Sequence, residues 1–281
     1  SGFTLRVFAR KPAKFKYSGE WFAGDFLDTG KLSEALVGID AVVHCISTTV
    51  PATSISDPIY DIESNLISTV KLLQLMESHG VSRLVFLSSG GTVYGNPLSS
   101  PVREDAPLNP ISSYGAVKVA IEKFVEISIV NWGVKSVILR PSNPSGERQG
   151  HTGAQGLIST VLNNAVNSRP TPIYGDGNAI RDYVYVRDVA KLVCKVLKTE
   201  RCGIYNAGSG SGYSINQIIQ TIEAETGLLV QKDYRDSRGF DVKEVILNSQ
   251  LAEEHFGWKA KIPLSSGIQK QYKWLRENIN G

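Results

Sequence analysis

What this chain has little of narrows it first. It carries three cysteines, Cys45, Cys194 and Cys202. Their odd number and a spacing unlike any metal-ligand pattern point away from a disulfide framework or a zinc site, so the thiols are expected to be free and buried. No apolar run approaches the roughly 18 to 20 residues that a bilayer-spanning helix needs. No charged-then-apolar leader opens the chain, and it is read as cytoplasmic, with no membrane partner. Basic residues exceed acidic ones by only three over 281 residues. With no Lys/Arg cluster interleaved with aromatics, nothing in it favours nucleic acid. No internal repeat and no low-complexity segment is present. What remains is ordinary globular composition, 42% hydrophobic and 20% charged, long enough for one large core or two smaller domains.

Through the first half, apolar β-rich runs alternate with helical patterns. Thr4 to Phe8, Ala41 to Ile46, Leu84 to Leu87 and Ser136 to Leu139 read as strands, and Tyr60 to Ser78 and Ser113 to Val130 as the longest amphipathic helices. The alternation predicts βαβ units and an α/β fold built on a Rossmann-type, doubly wound parallel sheet. After Pro141 the texture turns to Gly, Pro, Asn and Ser, with shorter elements such as Gly156 to Asn167 and Ile215 to Thr226. This assigns residues 1–141 to a dinucleotide-binding domain and 142–281 mainly to a smaller α/β substrate domain, partly interleaved with the first.

A dinucleotide fold begins with a strand, a glycine-rich turn and a helix whose N-terminus holds the pyrophosphate. That fingerprint is missing here, and Ser1-Gly2-Phe3 reads as the end of such a helix. Two readings follow: the native protein has roughly 25 to 30 residues more, or the chain is a fragment that cannot bind a dinucleotide in the normal way.

The strongest chemical signal is Tyr114-Gly115-Ala116-Val117-Lys118, at the start of a helix. Tyr and Lys four apart share a helix face. A phenol titrates near ~10 and is a poor base at neutral pH unless positive charge favours the phenolate, which Lys118 and a nicotinamide cation would supply. Tyr-x-x-x-Lys alone is common on solvated faces; its weight comes from following Leu87-Ser88-Ser89-Gly90-Gly91-Thr92-Val93-Tyr94-Gly95. That segment ends a buried strand, where open α/β sheets bind their ligands, and its small hydroxyls suit a substrate oxygen.

On these motifs the chain resembles the extended short-chain dehydrogenases/reductases of the UDP-galactose 4-epimerase group, over essentially its whole length. Further matches are Gly24-Asp25-Phe26, Asn65, Arg140-Pro141-Ser142-Asn143-Pro144, Gly175-Asp176-Gly177 with Arg181-Asp182-Tyr183, Asn206-Ala207-Gly208-Ser209, and Arg238 with Asp241. The resemblance implies a nucleotide-sugar 4-epimerase that oxidises C4 transiently with tightly bound NAD. It implies that Asp25 and Phe26 meet the adenine, that Cys45, Ile46 and Ser47 line the cofactor, and that Asn65, Ser88, Tyr114, Lys118 and Pro141 complete its site. It implies that Asn143 binds a UDP-sugar whose diphosphate Arg181 and Arg238 clamp beside Asp241. The family also pairs through the helices around Tyr60 to Ser78 and Ser113 to Val130, so a homodimer is expected.

Three positions depart from the group. Gly90 stands where many 4-epimerases carry a third serine, so the substrate-polarising hydroxyl is expected from Ser89 or Thr92. Ala9-Arg10-Lys11 replaces the acidic residue that meets the adenosine ribose, and an arginine there accommodates a 2′-phosphate, which keeps NADP open. Val245 falls where restrictive 4-epimerases present a bulky tyrosine, which implies room for a C2 acetamido group and so for UDP-GlcNAc and UDP-GalNAc besides UDP-Glc and UDP-Gal. A 4,6-dehydratase is disfavoured because Gly90-Gly91-Thr92 offers no carboxylate. An NADP-dependent nucleotide-sugar reductase is the runner-up. A non-catalytic dinucleotide-binding regulator is the third alternative.

Overall fold

The computed structural model describes residues 2–12, 17–149, 156–239 and 241–278. Residues 2–5 form no helix, against the expectation for the opening residues, and Ser1 lies outside the described set. Two short parallel strands come first, β1 (Arg6–Ala9) and β2 (Glu20–Ala23), with Arg6 opposite Glu20 and their side chains paired at 2.6 Å. α1 (Thr29–Leu36) starts at Asp28, whose carboxylate accepts the Lys31 N–H and so satisfies one of the helix's open donors.

After β3 (Ala41–His44) the chain runs through α2 (Pro51–Ser56), α3 (Pro58–Asp61), a π turn over Ile62–Ile67 and α4 (Ser68–Ser78). Apolar periodicity predicts one unbroken helix from Tyr60. The π turn interrupts it where the Ser64 and Thr69 hydroxyls donate back to the carbonyls of Tyr60 and Asn65. β4 (Arg83–Leu87), α5 (Ser113–Trp132) and β5 (Lys135–Pro141) complete the βαβ run. α5 is bounded by Ser112, whose hydroxyl accepts the Gly115 N–H, and by Gly133 at φ 65°, the left-handed conformation that ends helices.

Next come β6 (Asn143–Ser145), α6 (Leu157–Val166), β7 (Thr171–Tyr174), β8 (Ile180–Tyr185), α7 (Val186–Val196) and β9 (Gly203–Ala207). They are followed by β10 (Gly212–Ser214), α8 (Ile215–Thr226), β11 (Lys232–Arg235), β12 (Glu244–Val245), α9 (Gln250–Phe256) and α10 (Leu264–Asn278).

β3, β4, β5 and β9 form one parallel sheet in that order. The central strands are continuous apolar runs because helices cover both faces. One face packs on Leu32, Leu72, Met76, Ile121 and Val125 of α1, α4 and α5; the other packs on Leu192, Val196 and Phe256 of α7 and α9. The chain beyond residue 142 therefore supplies the fourth strand and one helical layer of this sheet. The β1–β2 pair is hydrogen-bonded to no strand of it among the described residues. In the smaller part, β8 lies between β10 and β12 and also pairs with β6, while β7 pairs with β11; α6, α8 and α10 enclose Ile158, Leu162, Ile218, Ile222 and Ile268. No described helix is long and apolar enough to cross a membrane. All three cysteines are free, but Cys45 and Cys202 are exposed, correcting the expectation of burial. Cys45 follows the last residue of β3 and Cys202 precedes β9, so neither lies within a sheet strand.

Candidate active site

A cleft of about 380 Å³ opens beyond the carboxyl ends of β3, β4 and β5, between the main sheet and the smaller part. This is where strand ends and helix starts leave main-chain and side-chain polar groups facing a ligand. It gathers Cys45, Ser47, Ser88, Ser89, Thr92, Tyr114, Lys118, Pro141, Asn143, Arg181, Arg238 and Asp241 from far-apart stretches of the chain.

Tyr114 is in the first turn of α5, its main-chain N–H donating to Ser54 Oγ at 3.0 Å. Its hydroxyl lies beside the side chains of Ser47 and Ser89, which favour its ionisation. Lys118, one turn on, donates from Nζ to the Leu87 carbonyl at 3.2 Å and stands 5.6 Å from the Tyr114 ring centre. Burial pushes the Tyr114 phenol up to about 12, an effect that Ser47 and Ser89 offset only in part. Burial likewise pulls Lys118 down to about 8, opposed by Cys45, Asp61 and Glu122. The expected phenolate needs both Lys118 and a nicotinamide cation; in the protein by itself desolvation wins, because removing a charged form from water outweighs a cation several ångströms away.

Ser89 and Thr92 both face the cleft, in the segment between β4 and α5. Gly90 points the other way. A Cβ there would lie 2.5 Å from Leu247 Cδ1 and 2.9 Å from the Arg140 carbonyl oxygen. A serine at 90 would enter the core beside Leu247 rather than the cleft, so packing accounts for the glycine.

Across the cleft, Asn143 donates to the Asp182 carbonyl at 3.0 Å. Arg181 donates to the carbonyls of Ile180 and Lys243, and among the described residues no carboxylate forms an ion pair with it. Arg238 is paired with both oxygens of Asp241 at 2.8 and 2.9 Å and lies over the Tyr174 ring at 4.0 Å. Asp241 thus acts as the partner of Arg238. Val245 does not line the cleft: it is 2% exposed and packed in a cluster with Val93, Tyr94, Val102 and Leu247. Val242 lines the cleft instead.

On the expected cofactor side, three residues lie away from the cleft surface. The Phe26 side chain is in the core, 5.1 Å from the His44 ring, and Ile46 packs against the same cluster. Asn65 is 4% exposed and fully engaged: it accepts the Thr48 N–H and donates to Thr48, Thr49 and Asp61. It shapes the turn after β3. Asp25 is exposed and holds the Leu27 N–H, and Arg10 is exposed just after β1.

Sequence reasoning missed Ser142. It is 6% exposed, lines the cleft, and its hydroxyl has no hydrogen-bond partner among the described residues. A buried hydroxyl of this kind calls for a partner from a ligand. Its only sequence signal was its place between Pro141 and Asn143.

The model of the NAD dependent epimerase/dehydratase family matches residues 1–208. The chain is 31% identical to the UDP-glucose 4-epimerase of Halalkalibacterium halodurans, covering 93% of this chain and 84% of that one. It is 30% identical to the dTDP-4-dehydro-6-deoxyglucose reductase of Escherichia coli, covering 91% and 83%. Among solved structures, that of the UDP-glucose 4-epimerase of Thermotoga maritima with UDP-glucose matches with a TM-score of 0.94 and 27% identity, over 99% of this chain and 92% of that one.

Proposed function

The chain belongs to the NAD-dependent epimerase/dehydratase family, and on that premise we propose that it is a UDP-hexose 4-epimerase working with tightly bound NAD. One observation carries the reading. Tyr114 meets Ser89 in a cleft whose only lining carboxylate, among the described residues, is Asp241, already occupied by Arg238. Such a site can move one proton at a sugar hydroxyl but has no free carboxylate for the further elimination of a dehydratase.

The orphan Ser142 hydroxyl, the strand-end groups of Cys45, Ser47 and Pro141, and Lys118 of α5 fit the nicotinamide half of a dinucleotide beside a sugar. NAD held there would supply a hydride acceptor and donor for C4 and a positive charge that favours ionisation of a nearby phenol. Tyr114 accepts the C4 hydroxyl proton as the C4 carbonyl forms and gives it back when the carbonyl is reduced. Ser89 and Thr92 donate to the C4 oxygen. Arg181, a cation with no carboxylate ion pair among the described residues, and Arg238 hold the diphosphate with forked donors. With the molecule anchored by its nucleotide end, the sugar is free to present either face.

The case for a C2 acetamido group loses its support, since Val245 is in the core. UDP-glucose and UDP-galactose are therefore the proposed pair, and kcat/KM for UDP-GlcNAc against UDP-glucose decides whether the larger sugar is also used. The exposed Arg10 favours one second reading, a reductase using NADPH. The exposed apolar residues Ile59, Ile67, Ile127 and Val130 on α3, the π turn and α5 support a homodimer. The test of the main reading is purified protein with UDP-galactose and no added reductant. Formation of UDP-glucose up to an equilibrium mixture is expected; turnover only with added NADPH would replace the epimerase by the reductase.

A further inference from the structure

Beneath the hydroxyl segment lies a buried ion pair that the reaction above does not use. Glu122 on α5 and Arg140 on β5 are 1% and 2% exposed. Arg140 donates from Nε at 3.0 Å to one Glu122 oxygen and from Nη2 at 2.6 Å to the other. The same pair grips two more residues. Ser88 Oγ donates to Glu122 Oε1 at 2.5 Å. Arg140 Nη1 donates to Tyr94 Oη at 2.8 Å, and the Tyr94 hydroxyl in turn donates to Asn206 Oδ1 at 2.7 Å. Ser88 and Tyr94 bracket the stretch that carries Ser89 and Thr92. The main chain adds two ties, Ser88 N–H to the Leu139 carbonyl at 2.8 Å and Gly90 N–H to the Pro141 carbonyl at 2.9 Å. Asn206, on β9, anchors the far end by donating to the Val102 and Asn248 carbonyls and, from its main chain, to Glu104.

A buried ion pair is weak evidence for stability, because desolvation offsets the attraction. Its geometry here points to a different use. We propose that Glu122 and Arg140 are positioning residues for the reaction: the pair clamps the 88–94 segment at both ends so that Ser89 and Thr92 stand against Tyr114, and Ser88 serves the clamp and is not a cofactor contact. The inference rests on the epimerase reading. Donors fixed before the reaction need no reorganisation when charge develops on the substrate oxygen, and a misplacement of about 1 Å costs on the order of 100-fold in rate.

Ser88→Ala and Tyr94→Phe each release one end of the clamp and leave the ion pair intact, which avoids the folding failure that Glu122→Gln invites. Wild type is first shown to interconvert UDP-sugars; if it does not, the functional reading falls, and this inference with it. Then kcat, KM, NAD released per chain on denaturation, and amide hydrogen exchange across 88–94 are compared. Each variant is expected to lose about tenfold or more in kcat, with KM and NAD content unchanged and exchange in 89–92 faster; Ser88→Thr, which restores the hydroxyl, is expected to recover kcat. Loss of NAD from Ser88→Ala with unchanged kcat in the loaded fraction would make Ser88 a cofactor contact and overturn the proposal. Unchanged kcat in both variants, with only the thermal midpoint lowered, would overturn it equally by leaving the pair a purely structural role.

Discussion

Tyr114 and Lys118 are driven in opposite directions by the same burial, the phenol up to about 12 and the ammonium down to about 8. For Lys118 this has a consequence for stability. The unfolded chain keeps the ordinary value of 10.5, so below pH 8 the folded protein carries the full cost of a buried ammonium. Between pH 8 and 10.5 the unfolded state binds the extra proton and stability rises. Lys118→Met is therefore expected to be inactive yet more stable than wild type at pH 7, by about 1 to 3 kcal/mol after the lost bond to the Leu87 carbonyl is counted. The gain should vanish near pH 10.5; urea midpoints at pH 7 and pH 10 check it, and a gap equal at both would show that burial of the charge is not its cause. Tyr114→Phe removes only the proton-transfer group, so kcat should fall by about 10²- to 10⁴-fold with KM little changed, as steady-state kinetics would show.

Gly90 shows how an element constrains its own chemistry. Its Cβ direction is filled by Leu247 and by the Arg140 and Pro141 carbonyls, of which the main-chain atoms cannot yield cheaply. Gly90→Ala should cost about 1 to 3 kcal/mol in a urea melt and lower kcat by displacing Ser89. The β3–β5 strands and α5 were legible in the sequence because period and caps are local signals, and the Tyr114–Lys118 pair because four residues is one helical turn. That the side chains of Val245, Phe26 and Asn65 lie in the interior was not legible, for the opposite reason. Whether a strand residue or a turn asparagine faces a cleft or a core depends on partners far along the chain: Val93, Tyr94 and Val102 for Val245, the β3 strand for Phe26, and Asp61 with the 48–49 turn for Asn65. The π turn was hidden as well, since hydroxyls bonding back to carbonyls leave the apolar period intact.

Over the whole molecule, the second half of the chain completes the sheet of the first and closes the cleft, so the two parts are expected to unfold as one cooperative unit. The outer face of α3, the π turn and α5 leaves Ile59 63% and Val130 85% exposed. A homodimer buried there predicts a dimer by sedimentation at micromolar concentration and a monomer for Ile59→Glu with Val130→Glu; a wild-type monomer would remove the interface. The epimerase reaction is defined by where the C4 hydrogen goes. UDP-galactose carrying deuterium at C4, incubated with the purified protein and no added reductant, should give UDP-glucose that keeps the deuterium at C4 and takes none from solvent, as mass spectrometry and NMR would read. Product that has lost its label, or no product until NADPH is added, would contradict the account.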